Sequence, residues 1–161
     1  VNPDGTGWFI TTSITPAWFG NTVTIVGTNT VGLFRGTQIH ESCVFSTPAN
    51  AVIQNFDCSA GQIFEANLYN QGINFTANLQ NLNLASGYAT TVTLVMKQPA
   101  AAGYYPANLS INGTNQTYNS AWFWQGGSTP SGTPGKRDVV AFNITNNGGT
   151  YTTYAQLVSW G

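Results

Sequence analysis

The stretch Ile73-Asn74-Phe75-Thr76-Ala77-Asn78-Leu79-Gln80 decides the fold, because every second residue in it is apolar and every partner is a neutral polar residue. Successive side chains of a β-strand point to opposite faces, so this alternation predicts a strand with one buried face. The segments 62–69, 91–98 and 138–145 show the same alternation. No segment keeps the i, i+3, i+4, i+7 apolar spacing of an amphipathic helix for three turns.

Weaker alternation extends this pattern over most of the chain. Clusters of Gly, Asn, Ser and Pro separate the alternating segments and interrupt their period. About ten short strands with frequent turn signals are typical of an antiparallel β-sandwich, jelly-roll-like or barrel-like. The sequence therefore predicts an all-β fold. The weaker candidate strands are 8–12, 21–26, 38–45, 51–56, 109–112 and 151–160.

Charged residues are scarce in this chain of 161 residues. Asp, Glu, Lys and Arg make up 6% of the residues and leave a net charge of −1, whereas they make up about 25% of an average domain. A nucleic-acid-binding surface needs clustered Lys and Arg, and a membrane-surface helix needs a basic face. No apolar run approaches the ~20 residues that span a membrane. We therefore expect no nucleic-acid partner and no membrane insertion.

The same scarcity of charge bears on association. Exposed strand edges pair with other copies unless charged side chains obstruct them, and this chain has few such side chains. A symmetric oligomer closes these edges within its own interfaces. The composition therefore favours a homo-oligomer.

The two cysteines, Cys43 and Cys58, allow two interpretations. They enclose 14 residues, and a disulfide that closes a loop of this size contributes roughly 3 kcal/mol. Two free cysteines would instead behave as small buried hydrophobic residues. The sequence leaves both interpretations open.

Four motifs follow one another in the C-terminal two-thirds of the chain. They are Thr-Leu-Val-Met-Lys-Gln at 93–98, Trp-Gln-Gly-Gly-Ser-Thr-Pro at 124–130, Gly-Lys-Arg-Asp-Val-Val-Ala-Phe at 135–142 and Gly-Gly-Thr-Tyr at 148–151. Over residues 51–161, their order and spacing resemble the C-terminal domains of bacteriophage tail fibres and related virion fibre (receptor-binding) proteins. The chain departs from that family at Gln125, where the family usually has Pro, and in a longer segment at 104–117.

The resemblance implies a homotrimeric β-structure at the end of a fibre on the virion surface, which is an extracellular location. It implies attachment to a host surface glycan or receptor protein, with other virion fibre or capsid proteins as neighbours. Residues 51–161 would form the fibre-tip β-sandwich domain. Residues 1–50 would form an N-terminal β segment, either a joint to a preceding fibre or part of the same domain. A capsid or tail decoration protein without receptor contact and a secreted lectin-like β-domain remain as alternatives.

Catalytic chemistry has few residues to draw on. His40 is the only histidine, so a Ser-His or Cys-His system would depend on it. A glycosidase would need two of the five carboxylates, such as Asp57 and Glu65. A metal site would have to use His40, Glu41 and Cys43. We expect no enzyme activity, no catalytic residues, no metal and no cofactor.

Aromatic residues are the best candidates for ligand contacts, because a sugar ring stacks its apolar face on Tyr or Trp while neutral polar groups bind its hydroxyls. Tyr104, Tyr105, Tyr118 and Trp122 lie in or beside irregular segments, where binding residues concentrate. These four are the predicted ligand-binding residues. Trp124 occupies the tryptophan position of the family motif and is expected in the core. Trp122 alternates with it and should face the same side, so a structural role is also open for Trp122.

The densest charge cluster is Lys136-Arg137-Asp138, at the start of an alternating strand. It either forms a salt bridge where that strand begins or reaches an anionic glycan. The salt bridge is the favoured interpretation, and such surface pairs contribute little to stability.

Overall fold

The computed structural model describes residues 41–161, which form ten β-strands and one short 3-10 turn at Gln125–Gly127. The described residues belong to one compact unit, Ile39–Gly161. The strand candidates 8–12 and 21–26 and residue His40 lie outside the described residues. The strands are β1 (Cys43–Ser46), β2 (Ile53–Asp57), β3 (Ile63–Asn67), β4 (Phe75–Gln80), β5 (Ala89–Lys97), β6 (Pro106–Ile111), β7 (Thr114–Gln116), β8 (Trp122–Trp124), β9 (Arg137–Asn147) and β10 (Thr150–Trp160).

These strands form two sheets, which confirms the all-β sandwich predicted from alternation. Sheet A has the strand order β1-β3-β5-β9-β10-β8, and sheet B has the order β2-β4-β6-β7. The four strongest sequence candidates became β3, β4, β5 and β9. No helix within residues 41–161 is long and apolar enough to cross a membrane.

The first six strands alternate between the two sheets, and within each sheet those of the six that are neighbours pair in parallel. Parallel strands need a long connection between them, and here each connection runs through a strand of the opposite sheet. The register partners Cys43 and Ile63 are 20 residues apart, and Ile63 and Thr93 are 30 residues apart. Five of the eight strand pairs within residues 41–161 are parallel, so the expected antiparallel pairing holds for only three. Alternation specifies the buried face of a strand but not its partner.

Two of the three antiparallel pairs are tight hairpins with a recognisable turn chemistry. Asn112 and Gly113 connect β6 to β7 with φ of 50° and 79°, and Gly148 and Gly149 connect β9 to β10 with φ of 61° and 89°. A two-residue turn with positive φ at both positions matches the right-handed twist of the strands, and Asn and Gly adopt it at the lowest cost. The turn at 148–149 sets the register of an eleven-residue ladder.

The core lies between the sheets and is built from the inward positions of nearly every strand. Phe56 of β2 meets Phe64 of β3 edge-to-face at 5.3 Å between ring centroids, which joins the two sheets. In β4 the apolar residues of the alternating stretch are buried as predicted. Burying one such side chain contributes about 1.5–3 kcal/mol. The largest fully buried apolar side chains are Trp122, Phe75, Phe142, Leu68, Leu79, Leu94, Met96, Leu109, Ile111 and Ile144.

Strand β1 lies within the segment 1–50, for which the sequence left two roles open, a joint to a preceding fibre or a part of the same domain. It pairs with β3 from Cys43 to Ser46, so these four residues are part of sheet A. Alternation at 38–45 predicted a strand there, but it did not show which domain the strand completes.

Both cysteines of the chain are free thiols. Cys43 is exposed and Cys58 is half-buried, and the Cys58 backbone N–H donates to the carbonyl of Gln80 at 2.8 Å. The disulfide interpretation is therefore wrong for this structure.

Candidate functional site

Two of the four predicted ligand-binding residues form one aromatic cluster with Trp124. Trp122 is 1% exposed and meets Trp124 at 5.2 Å and Tyr118 at 5.5 Å between ring centroids. A surface ligand cannot reach Trp122, so its structural role replaces the binding role. Tyr118 is half-buried, and its hydroxyl donates to the Gly127 carbonyl at 3.2 Å. Trp124 is buried, as the sequence predicted.

The other two predicted residues lie in the separate loop between β5 and β6. Tyr104 is half-buried against the core, and the Gln98 side chain hydrogen-bonds both its backbone carbonyl and its backbone N–H. The Gln98 amide donates to the Tyr104 carbonyl at 2.6 Å and accepts from the Tyr104 N–H at 2.9 Å. Tyr105 is also half-buried, and its backbone N–H donates to Asn74 Oδ1 at 3.3 Å. These contacts fix the loop backbone but bring neither tyrosine to Tyr118.

The salt bridge favoured for the charge cluster at 136–138 is present where β9 begins. Arg137 Nη2 lies 3.7 Å from Glu65 Oε1 of β3, with both side chains partly exposed. A surface pair of this kind is worth little in free energy. Asp138 is fully buried and points to the core side of β9. The two neighbouring residues therefore serve different surfaces.

Buried Asp138 ties three segments together. Its carboxylate accepts from Gln98 Nε2 at 2.9 Å, from the Thr133 backbone N–H at 2.7 Å and from the Ser159 hydroxyl. These donors come from the end of β5, from the 128–135 loop and from the end of β10. Because buried charges are costly unless they are hydrogen-bonded, the three donors explain how this carboxylate is accommodated.

Glycines let the two long loops touch backbone to backbone beside this carboxylate. A Cβ on Gly132 would lie 2.5 Å from the Tyr104 nitrogen, and one on Gly103 would overlap the Gly132 carbonyl group. Only glycine permits so close an approach. The two loops therefore form one packed unit, although long loops of this composition suggest mobility.

An exposed aromatic pair lies elsewhere, on the outer face of sheet A. Phe123 of β8 and Tyr154 of β10 are register partners, and their rings are stacked at 5.7 Å with an angle of 20° between their planes. Trp122 and Trp124 point inward, so Phe123 between them points outward. Tyr154 is 55% exposed and Phe123 is half-buried. The pair forms an apolar patch that solvent reaches mainly at Tyr154.

Neutral polar groups surround this pair. A shallow groove of about 290 Å³ lies beside it and includes Gln125, Asn143 and Gln156 in its lining. Asn143 is the register partner of Tyr154, and its Oδ1 accepts a hydrogen bond from Thr91 Oγ1 at 2.9 Å. An apolar ring face bordered by amides and hydroxyls complements a sugar, which has an apolar face and hydroxyls at its rim.

This pair was missed at the sequence level, although a signal for half of it was present. The inward orientation of Trp122 and Trp124 follows from alternation and implies an outward Phe123. Tyr154 lies in the alternating segment 151–160, but nothing in the sequence indicates that β8 lies next to β10. The two rings meet because β8 and β10 are neighbours in sheet A.

The titratable groups of the described residues offer little catalytic chemistry. No group of three or more His, Cys, Asp or Glu residues within 41–161 could hold a metal ion. Hydrogen bonds from Ser59 and Asn81 hold the pKa of Asp57 below its ordinary value of 3.8. Burial, with a smaller contribution from the charge of Asp57, raises the pKa of the Cys58 thiol to about 11. A thiol with a raised pKa is a poor nucleophile at neutral pH.

Comparisons with known proteins leave the chain without an assigned relative. No family model matches it, and no curated protein or solved structure matches it.

Proposed function

We propose that this chain is a non-catalytic virion fibre module that attaches the particle to a host cell-surface glycan through the outer face of sheet A around Tyr154. The stacked pair of half-buried Phe123 and exposed Tyr154, bordered by neutral amides, is the observation that carries this proposal. The motif order over residues 51–161 supports the virion location and the role in attachment. A receptor protein would instead require a larger contact surface, on the order of 800 Å² per partner.

Single-site affinity at such a surface would be low. A shallow groove buries little of a ligand, and one aromatic platform with a few hydrogen bonds is consistent with a Kd near 1 mM, which corresponds to about −4 kcal/mol. Attachment would then depend on several copies acting together, since linked sites raise the overall avidity by roughly 10²–10⁴. The proposal therefore includes a homotrimer.

The oligomeric state is tested by light scattering after size-exclusion chromatography of the full chain. A trimer would have three times the 17.2 kDa mass of one chain. A monomer at micromolar concentration would contradict the trimer. The chain would then lack the several linked binding sites that the proposed avidity requires.

Glycan attachment is tested with an array of immobilised oligosaccharides and polysaccharides. We expect the full chain to be retained on a subset of glycans and Tyr154→Ala to reduce this retention at least tenfold. Tyr88→Ala is the matched control, because Tyr88 is 62% exposed and lines neither groove beside Tyr154. Retention of no glycan, or equal loss in both variants, would refute the proposal.

A structural role in the particle is the second candidate function. The sheet-edge strands β1 and β2 carry exposed apolar side chains, with Phe45 73% and Ile53 55% exposed, and Val52 beside them is 62% exposed. Exposed apolar side chains at unpaired sheet edges favour contacts with another protein chain. If Phe45→Asp destabilised the particle while Tyr154→Ala left adsorption unchanged, the structural role would replace attachment.

A further inference from the structure

The face around Tyr154 carries two grooves rather than one. The first groove borders Phe123, Gln125 and Gln156, and the second borders Thr91 and further residues of β5 and β9. Both grooves are also lined by Asn143 and Tyr154. The tyrosine ring therefore lies between two adjoining surfaces, and a ligand stacked on it can continue to either side.

A cross-strand row explains why the two grooves adjoin. Phe123, Tyr154, Asn143 and Thr91 are successive register partners across β8, β10, β9 and β5. Neighbouring strands are about 4.8 Å apart, so the row spans about 14 Å from the first strand to the fourth. This length exceeds that of one sugar ring, so the row can contact at least two sugar residues.

The lining of both grooves is uncharged. It consists of aromatic, amide, hydroxyl and small apolar side chains. On β5 and β9 of this sheet, the cations Lys97 and Arg137 are register partners, six positions along from the Thr91–Asn143 pair. Six residues of strand span about 20 Å, which exceeds the screening length of about 8 Å at physiological salt. Among the described residues 41–161, an anionic sugar bound at Tyr154 would therefore have no nearby cation to offset its desolvation.

The hydrogen-bonding groups suit hydroxyls. Thr91 Oγ1 donates to Asn143 Oδ1, which holds the amide in one orientation and leaves the two N–H bonds of Nδ2 as donors. Gln125 and Gln156 add both donors and acceptors. A sugar hydroxyl donates and accepts equally well, whereas a carboxylate or sulfate only accepts.

We infer that the ligand of this face is a neutral oligosaccharide of at least two sugar residues, bound across Tyr154 with Asn143 contacting both of its parts. This inference rests on the proposed glycan attachment and specifies its substrate class. Two signatures follow: affinity that rises with ligand length, and affinity that is insensitive to salt.

The test measures binding of the full chain to linear oligosaccharides of one to six residues. The set contains neutral hexose and N-acetylhexosamine chains and their counterparts that carry sialic acid, uronic acid or sulfate. We expect neutral chains to bind, the Kd to fall at least tenfold from mono- to trisaccharide, and the Kd to change less than twofold between 0.05 and 0.5 M NaCl. Asn143→Ala should remove most of this gain with length, and Asn115→Ala, on β7 of the other sheet, should preserve it.

Each contrary result has a separate meaning. Binding of acidic chains in preference to neutral ones, with loss in Tyr154→Ala and strong salt dependence, would refute the neutral-ligand inference but leave glycan attachment standing. Binding that does not strengthen with length would refute the extended site in the same way. Absence of binding to every glycan would refute attachment itself.

Discussion

Replacing Asp138 with alanine should destabilise the protein by about 3–5 kcal/mol, and the structure shows where this cost arises. Two of its three donors have other acceptors, because Gln98 Nε2 also donates to Tyr104 O at 2.6 Å and the Ser159 hydroxyl lies 2.6 Å from Thr133 Oγ1. The Thr133 backbone N–H keeps no such alternative. An orphaned buried donor costs about 1–3 kcal/mol, and each of the other lost hydrogen bonds costs about 1 kcal/mol.

Asp138→Asn is the matched control for Asp138→Ala, because it preserves the shape of the side chain and most of its hydrogen bonds. The remaining oxygen can accept from Thr133 and Gln98. The new amide can donate to the Ser159 hydroxyl, which still has Thr133 Oγ1 as an acceptor. We therefore expect Asp138→Asn to cost about 1 kcal/mol, which is the charge-assisted part of these bonds.

The assay is urea unfolding of both variants and the wild type at pH 7, followed by tryptophan fluorescence, with the slope m compared to verify that the same surface is exposed. The reasoning predicts a clear separation between the alanine and asparagine variants. Equal losses in both would show that the charge, and not the hydrogen bonds, holds the loops. A loss below about 0.5 kcal/mol in Asp138→Ala would show that the carboxylate does not tie them together.

Three further predictions concern the loops and the titratable groups. Gly132→Ala should destabilise the protein by about 1–3 kcal/mol, as overpacking does, because the new Cβ would lie 2.5 Å from the Tyr104 nitrogen; a midpoint of urea unfolding equal to that of the wild type would contradict this. Iodoacetamide at pH 8 should alkylate exposed Cys43 well before Cys58, whose pKa is about 11. Peptide mass spectrometry measures this order, and earlier alkylation of Cys58 would contradict the prediction. The pKa of Asp57 is lowered by folding, so its carboxylate stabilises the folded state at pH 7. This stabilisation is lost as the pH falls below 3.8 and through the pKa of Asp57 in the folded state. The urea midpoints of Asp57→Asn and the wild type should therefore converge over that range.

Alternation was sufficient to place most strands and their buried faces. It succeeded at 75–80, where the apolar residues Phe75, Ala77 and Leu79 are buried, because neutral polar residues separate them. Ile73 precedes the strand and is 43% exposed. Alternation missed β7 and β8, which have three residues each and are too short to display a period. It could not predict the parallel pairing, since a connection through the opposite sheet leaves the same Gly, Asn and Pro signals as a hairpin.

The candidate site was harder to predict because its residues meet through pairing and not through sequence proximity. Tyr104 and Tyr105 were chosen since they lie in a loop, yet Gln98 and the glycine contact fix that loop against the core. Phe123 and Tyr154 lie on strands, where loop-based reasoning does not search. Only the order β9-β10-β8 brings them together.

The scarcity of charge acquires a physical meaning at this face. Water satisfies the hydrogen-bonding groups of a surface made of threonine, asparagine and glutamine. Removing that water when a ligand binds costs less free energy than removing water from charged groups. A neutral sugar can replace that water with hydroxyls of similar hydrogen-bonding capacity, so binding exchanges one set of neutral contacts for another. The net gain then comes from the apolar ring face that stacks on Tyr154. Single-site binding should therefore be weak and salt-independent, and strong attachment should require several copies of the chain.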